Sequence, residues 1–197
     1  MKKQMMLIFV LLVLVVQTFA QETDRQKDLR RRAFVEDFIC TYEDAYEKKK
    51  IEYIEYFFSN NALIITETKE LKPIGKALVP NVNKDRPYKS IVDDKRKYIK
   101  RLKAIFNSNA YIKLSLANKH IKQHYKFKDI YGVSFTQIWK DQNKGNNIEN
   151  RMPGYLFLIV DFKERENNPK IYVRTWQPLE NIKKPTDKYN LMDSTFE

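Results

Sequence analysis

The amino-acid sequence predicts an α+β domain in which N-terminal helices pack on an antiparallel sheet. Three consecutive segments are rich in β-branched and aromatic residues and are separated by polar linkers: Ile130–Asp141, Gly154–Glu164 and Lys170–Pro178. Long neighbouring segments of this kind are typical of antiparallel strands. Apolar residues recur at helical spacing from about residue 30 onwards, ahead of the strand segments. We therefore expect helices to precede most of the sheet.

The first twenty residues resemble a secretory signal peptide. Two lysines precede a continuous apolar run over residues 5–16, and the small residues Thr18 and Ala20 come just before Gln21. The run is shorter than the roughly 20 apolar residues that cross a bilayer. We therefore expect cleavage near Ala20–Gln21 and export to the periplasm or the exterior, with no membrane span left in the mature chain.

The predicted organisation has one folded domain, because neither internal repeats nor a low-complexity linker divide the chain. In order, the expected parts are a signal peptide over residues 1–20, a flexible N-terminus over 21–28, the folded domain over 29–180 and a polar C-terminal tail over 181–197.

Helical spacing, strand alternation and turn residues predict the remaining elements. These are helices over residues 30–50, 51–58 and 93–107 and strands over residues 62–68 and 111–127. Asn60 and Asn61 are expected to end the second helix. A loop from about Lys69 to Val92 is long for a compact domain, and it is either a lid over a binding site or a plain surface excursion.

The third predicted helix is amphipathic. Its apolar stripe consists of Tyr98, Leu102, Ile105 and Phe106. Its basic residues are expected to lie outside this stripe, in solvent; they are Lys95, Arg96, Lys100, Arg101 and Lys103.

The distribution of charge and of glycine argues against a nucleic-acid interface and against a glycine-rich phosphate loop. The net charge is +12, and cleavage would remove two of the 37 basic residues and none of the 25 acidic ones, leaving about +10. These basic residues are spread along the chain, which favours a solvated surface over a nucleic-acid interface. The four glycines are not clustered, so a glycine-rich phosphate loop is not indicated, and we expect no cofactor.

Cys40 is the single cysteine, so no internal disulfide can form. On the first predicted helix it lies nearly opposite the apolar face. The thiol is either exposed and able to join two chains in an oxidising compartment, or covered by another element.

The order of elements resembles the nuclear transport factor 2-like (NTF2-like, cystatin-like) fold, in which a bent sheet wraps around helices to form a cone. The segments IYGVSFTQIW, GYLFLIVDF and IYVRTWQP are similar to strands of secreted bacterial proteins of unknown function with this fold, which carry GYLFLxxDF and VRTWQP patterns. The similarity covers roughly Glu70 to Pro178. It implies an α+β cone that binds small molecules, dimerises through the outer face of its sheet, or catalyses a reaction.

Five residues are candidates for binding a ligand. Strand alternation places Tyr172, Arg174 and Trp176 in one row, which could stack on a ring or hold an anionic group. The same row is also suited to a structural cation–π ladder on the outer face. Gln137 and Trp139 alternate with smaller residues, and Gln137 either orients a ligand inside the cone or lies on a solvated face.

Three residues are candidates for a catalytic base. Asp161 ends a largely apolar strand, where it is either a carboxylate with a raised pKa or a solvated group at the rim. His120 and His124 are the only histidines. Four residues apart on a strand, they are about 13 Å distant, which is too far to share one metal ion, so we expect no metal site.

Two functional hypotheses follow. The first is an exported, non-catalytic module that binds a small molecule or a partner protein, including a second copy of the chain through the outer sheet face. The second is a small-molecule isomerase, dehydratase or hydrolase with Asp161, His120 or His124 as a base inside the cone. The absence of a dense polar cluster favours the first. The sequence does not identify the ligand or the pathway.

Overall fold

The computed structural model describes residues 22–69, 71–74, 77–80, 88–145 and 148–182, of which 71–74 and 77–80 are described by their backbone. The predicted signal peptide and most of the predicted C-terminal tail lie outside these residues. The chain divides into two compact units, Met1–Phe38 and Ile39–Glu197.

The first helix begins in the N-terminal unit and is longer at its start than predicted. Helix α1 spans Asp24–Glu47 rather than starting at Arg30. The backbone N–H of Thr23 donates to Gln26 Oε1 over 3.0 Å, and the backbone N–H of Gln26 donates to Thr23 Oγ1 over 3.2 Å. This reciprocal capping box satisfies N–H groups that the first helical turn leaves without partners.

The second unit contains two further helices. Helix α2 spans Ile51–Phe57, and helix α3 spans Lys95–Ser108. The side chain of Asp94 caps α3 by accepting a hydrogen bond of 2.7 Å from the backbone N–H of Lys97.

Eight strands complete the described part of this unit. They are β1 (Phe58–Lys69), β2 (Leu71–Ile74), β3 (Ala77–Pro80), β4 (Tyr88–Asp94), β5 (Asn109–Gln123), β6 (Ile130–Asn143), β7 (Glu149–Asp161) and β8 (Lys170–Pro178), and a short 3₁₀ helix, Leu179–Asn181, follows β8.

Six strands form one sheet in the order β4-β1-β8-β7-β6-β5, and β2 pairs with β3 alone. The predicted α+β class is confirmed. Neighbouring strands of the large sheet are antiparallel except β1 and β8, which are parallel, so the sheet is mixed. Parallel neighbours need a long connection, and here the whole chain between β1 and β8 provides it.

Two local predictions differ from the structure. The predicted loop from Lys69 to Val92 contains β2, β3 and the start of β4. Its prolines suggested a loop, but short strands outside a sheet interior tolerate proline. Asn60 and Asn61 lie inside β1 instead of ending a helix, at a register shift between β1 and β8.

The core lies on one face of β6, β7 and β8. Along β7, Leu156, Leu158 and Val160 are fully buried, whereas Tyr155 and its alternating partners are half-buried, as strand alternation predicts. Each fully buried apolar side chain contributes about 1.5–3 kcal/mol relative to an exposed one.

Candidate functional site

A cavity of about 150 Å³ lies between helix α3 and the buried face of the large sheet. Helix α3 contributes Tyr98, Arg101, Leu102 and Ile105 to its lining. These residues are spaced i, i+3, i+4 and i+7, so they form one stripe along the helix. Arg101 was expected in solvent, but its position three residues after Tyr98 places it on the stripe that faces the sheet.

The sheet contributes the other side of the cavity. Gln137 and Trp139 of β6, Arg174 and Trp176 of β8, and Met152 of β7 line it. In each of β6 and β8 the two residues are two positions apart and therefore share a face of the sheet.

Gly154 makes room for the indole of Trp176. It pairs with Gln137 of β6 on one side and with Pro178 of β8 on the other. A Cβ atom at Gly154 would lie 2.3 Å from Cε2 of Trp176, well inside van der Waals contact. The indole therefore lies over a position that only glycine can occupy without displacing it.

Four buried polar atoms of the described side chains have no hydrogen-bond partner, and all four belong to residues that line this cavity. They are Arg101 Nε, Gln137 Oε1, Arg174 Nη1 and Trp176 Nε1. Three are donors and one is an acceptor. Because an unpaired buried polar atom costs about 1–3 kcal/mol, such a group in a folded protein calls for an explanation, such as a ligand or an ordered water molecule.

Arg174 is the most unusual of these residues because it is a charged residue that is only 5% exposed. Its Nε donates to Tyr42 Oη over 3.2 Å, and its Cζ lies 5.2 Å from the ring centroid of Tyr98. No carboxylate among the described residues pairs with it. A buried charge without an ionic partner is costly, and hydroxyl and cation–π contacts compensate only part of that cost.

Arg101 differs from Arg174 in having a carboxylate partner. Its Nη2 lies 2.6 Å from Oδ2 of the buried Asp93 and 3.3 Å from Oγ1 of Thr66. The charge of Arg101 is thus neutralised locally, and Arg174 leaves the cavity with one uncompensated positive charge.

A pair of tyrosines supports the wall beside Arg174. The hydroxyls of Tyr46 and Tyr98 are 2.5 Å apart. Burial raises the pKa of Tyr98 to about 12, and burial also raises the pKa of Tyr46 well above its ordinary value. Both phenols are therefore neutral near pH 7, and neither is suited to act as a base.

The two tryptophans of the chain both line the cavity, but they use their N–H groups differently. Trp139 Nε1 donates to Asp141 Oδ2 over 2.8 Å, and Asn150 donates to the other oxygen of that carboxylate. Trp139 therefore offers an apolar ring, whereas Trp176 offers both a ring and an unpaired N–H.

The cavity adjoins an outer depression of about 410 Å³. The two share Thr68, Met152 and Trp176 as lining residues. The outer depression is also lined by charged residues, among which Lys69 and Glu180 form an ion pair of 2.7 Å. The cavity and the outer depression are therefore neighbours, with Thr68, Met152 and Trp176 between them.

Four of the five predicted ligand-binding residues, Gln137, Trp139, Arg174 and Trp176, are brought together at the cavity, and Tyr172 is not. The register of β8 against β7 shifts between Ile171 and Val173, which leaves Tyr172 as a bulge residue. The bulge breaks the alternation that placed Tyr172 in a row with Arg174. Its hydroxyl donates instead to Glu164 over 3.0 Å.

The three candidate bases do not line the cavity. Asp161 ends β7 and its Oδ1 accepts a hydrogen bond of 2.7 Å from the backbone N–H of Lys163. Nδ1 of His124 accepts from two backbone N–H groups of the following turn, and His120 is exposed on β5. These contacts are typical of side chains that stabilise turns.

The remaining features of the described residues concern metal-binding clusters, membrane-spanning helices and the free cysteine. No group of three or more His, Cys, Asp or Glu side chains in these ranges is arranged to hold a metal ion. Within the same ranges no helix is both long and apolar enough to span a membrane. Cys40 is exposed on helix α1.

Neither a model of a known protein family nor a curated protein matches the chain. Solved structures do match. A protein from Novosphingobium aromaticivorans, provisionally named a scytalone dehydratase, is 11% identical with a TM-score of 0.58, over 78% of this chain and 87% of that one. A nuclear transport factor 2-like superfamily protein from Salmonella enterica is 10% identical with a TM-score of 0.57, over 81% and 97%.

A third similar structure is the β subunit of a protein provisionally named an aromatic-ring-hydroxylating dioxygenase from N. aromaticivorans. It is 14% identical with a TM-score of 0.53, over 75% of this chain and 89% of that one. At such identities the similarity establishes the fold. The chain has the nuclear transport factor 2-like fold, with three helices and a mixed six-stranded sheet, as the resemblance of its strands implies.

Proposed function

We propose that the protein is an exported, non-catalytic module that binds one small molecule in the cavity between α3 and the sheet. The observation that carries this proposal is that the four unpartnered buried polar atoms among the described side chains all belong to residues that line one cavity. A ligand that pairs with these atoms makes hydrogen bonds that the described protein groups leave unmade.

The size and walls of the cavity limit the ligand. A cavity of about 150 Å³ with apolar walls can hold a molecule the size of benzene. The aromatic and aliphatic side chains of Tyr98, Leu102, Ile105 and Trp139 provide such walls. A flat, mostly apolar molecule with one ring therefore fits better than a sugar or a nucleotide.

The catalytic alternative has less support. The dehydratase and dioxygenase-subunit names of similar structures favour an isomerase, dehydratase or hydrolase. However, the described lining of the cavity contains neither a carboxylate nor an imidazole, and the pKa of Tyr98 is too high for a base at neutral pH. Asp161, His120 and His124 lie elsewhere, so a base would have to come from outside the lining.

Export and protein–protein contact complete the proposal. Export rests on the signal-peptide pattern of residues 1–20. Association of two copies rests on the half-buried apolar residues of the outer face of β7, Tyr155, Phe157 and Ile159, and on the exposed thiol of Cys40. Small-molecule binding does not require this association.

Native mass spectrometry of the full chain, exported through its own first twenty residues and kept non-reduced, tests the proposal. We expect a chain cleaved at Gln21 that carries one additional small-molecule mass. Ile105→Trp should fill the cavity and abolish this mass, whereas Val92→Trp, at an exposed position, should retain it.

Two outcomes would contradict parts of the proposal. An uncleaved chain that stays in the cytoplasm would overturn export. A dimer without additional mass, which also fails to take up ring compounds at millimolar concentration, would make protein association the leading function. Reduction would then separate a Cys40 disulfide from a contact through the sheet.

A further inference from the structure

We infer that the ligand of the cavity is a small carboxylate with a single flat apolar ring, whose carboxylate lies between Arg174 and Trp176. This inference rests on the proposed small-molecule function and specifies its chemistry. It follows from the charge, the donor pattern and the shape of the cavity.

The charge of the cavity favours an anion. Arg101 is paired with Asp93 over 2.6 Å, so its charge is already neutralised. Arg174 is buried and has only the hydroxyl of Tyr42 and the ring of Tyr98 as partners among the described residues. A single negative charge on the ligand would therefore balance the cavity, and a neutral ligand would leave a buried charge uncompensated.

The donor pattern favours two acceptor oxygens. Arg174 Nη1, Arg101 Nε and Trp176 Nε1 each carry hydrogen and lack an acceptor among the described residues. A carboxylate has about four lone-pair sites on two oxygens, so it can accept from several N–H donors in the lining of one cavity. Gln137 is compatible with either a hydroxyl on the ligand or the carboxylate itself, because rotation of its amide exchanges the acceptor for a donor.

The apolar walls and the small volume exclude more highly charged anions. About 150 Å³ accommodates one ring, and the walls beyond the donors are Leu102, Ile105 and the ring of Trp139. Phosphate esters carry up to two charges and need more donors than these walls supply. One ring with one carboxylate uses both the polar and the apolar parts of the lining.

Gly154 fixes the position of one donor. Because a Cβ at Gly154 would lie 2.4 Å from Trp176 Nε1, the indole N–H occupies space that only glycine leaves open. Gly154 of the GYLFLIVDF segment and Trp176 of the IYVRTWQP segment are therefore packed directly against each other. Gly154 is a positioning residue, since it acts through Trp176.

Isothermal titration calorimetry with benzoate and benzyl alcohol at pH 7 tests the inference. The two probes share a ring, and only benzoate carries a charge. We expect benzoate to bind the full-length exported protein at least about tenfold more tightly, because a hydrogen bond to a charged group is worth about tenfold or more in affinity. Intrinsic fluorescence gives a second readout, since both tryptophans line the cavity.

Variants locate the source of the preference. Arg174→Met should reduce the preference for benzoate to less than about threefold, whereas Arg96→Met, which removes an exposed charge of helix α3 outside the cavity lining, should retain it. Trp176→Phe keeps a ring and removes the N–H, and it should weaken benzoate binding by about two- to tenfold. This variant keeps the inference testable if Arg174→Met does not fold.

The outcomes separate this inference from the proposed function. Equal binding of both probes, or tighter binding of benzyl alcohol, would overturn the carboxylate assignment and leave small-molecule binding intact. A benzoate preference that survives both Arg174→Met and Trp176→Phe would also overturn it. Failure of both probes to bind at millimolar concentration would overturn the inference and the proposed function together.

Discussion

Two regions of the sheet carry polar residues on apolar strands, and they differ in where their hydrogen bonds go. At the end of β7, Asp161 and, in the nearby turn, His124 accept hydrogen bonds from backbone N–H groups of the turns that follow them. At the cavity, Arg174 and Trp176 of β8 hold buried N–H groups without acceptors. The hydrogen bonds of the first region are made within the protein, whereas the second region contains buried N–H groups that the described residues leave unpaired.

The hydrogen-bond partners of a polar side chain, rather than its sequence context, distinguish these two regions. In sequence, Asp161 and Arg174 look alike, since each is a charged residue among apolar neighbours. A polar side chain that accepts hydrogen bonds from the nearby backbone stabilises a turn, whereas one that is buried and unpaired is a candidate for contact with a ligand or an ordered water molecule.

Leu158→Ala should lower the free energy of unfolding by about 2–5 kcal/mol, because Leu158 is fully buried on the inner face of the sheet, where it pairs with Arg174 of β8. Leu63→Ala, on the same sheet but 42% exposed, is the matched control and should cost less than about 1 kcal/mol. Urea unfolding of both variants measures the difference, and equal losses would contradict the burial of Leu158.

The free energy of unfolding should fall as the pH rises above about 10. Burial raises the folded-state pKa of Tyr98 to about 12, whereas an unfolded phenol ionises near 10. The contribution is fully present below about pH 10, and up to about 3 kcal/mol is lost by about pH 12, since the unfolded chain releases a proton that the folded chain keeps. Denaturant titrations at several alkaline pH values measure this loss.

Two tyrosine-to-phenylalanine variants show whether the buried Tyr98 in the cavity wall causes this loss of stability. Tyr98→Phe should flatten the alkaline decrease. Tyr53→Phe, at a ring that is 57% exposed, should leave the decrease as it is in the unaltered protein. If both variants show the same pH dependence, the buried tyrosine pair does not cause it.

Gly154→Ala should destabilise the protein by about 1–3 kcal/mol and remove ring binding, because the added methyl overlaps the indole of Trp176. Gly145→Ala is the control: the nearest neighbour of its added Cβ would be Oδ1 of the half-buried Asn143 at 3.3 Å, a contact much less close than the 2.3 Å at Gly154. Thermal unfolding and probe titration of the two variants give the comparison. Unchanged binding in Gly154→Ala would disconnect the glycine from the site.

Asp161→Asn should have the smallest effect. Its Oδ1 can still accept the hydrogen bond from the backbone of Lys163, so stability should change by less than about 0.5 kcal/mol and probe binding should not change. A substrate whose turnover disappears in this variant would instead support the catalytic alternative.

Much of the fold could be predicted from local sequence patterns. Strand β8 has the predicted bounds, and β6 and β7 differ from prediction by a few residues at their ends. The early start of α1 is encoded in the sequence by the Thr23–Gln26 capping box, which precedes the apolar periodicity from which the helix was predicted. The pairing of β2 and β3 was missed because prolines suggested a loop.

The candidate site was predicted in part. Alternation placed Gln137 and Trp139 in one row and Arg174 and Trp176 in another, and the cavity brings the two rows together. Tyr172 was assigned to the second row because a bulge cannot be read from alternation alone. Arg101 was assigned to solvent because it is charged, although its spacing from Tyr98 places it on the buried stripe.

The sequence by itself determined the α+β class, the positions of the long strands and the alternation of their faces. These depend on local periodicity, which each segment carries independently of its neighbours. Only the tertiary structure decided that β1 pairs with β8 in parallel, that Arg101 has a carboxylate partner whereas Arg174 has none among the described residues, and that Gly154 receives the indole of Trp176. The strand pairing and the glycine–tryptophan contact join residues far apart in the chain, and the Asp93–Arg101 pair joins two different elements, so no periodicity within one element contains them.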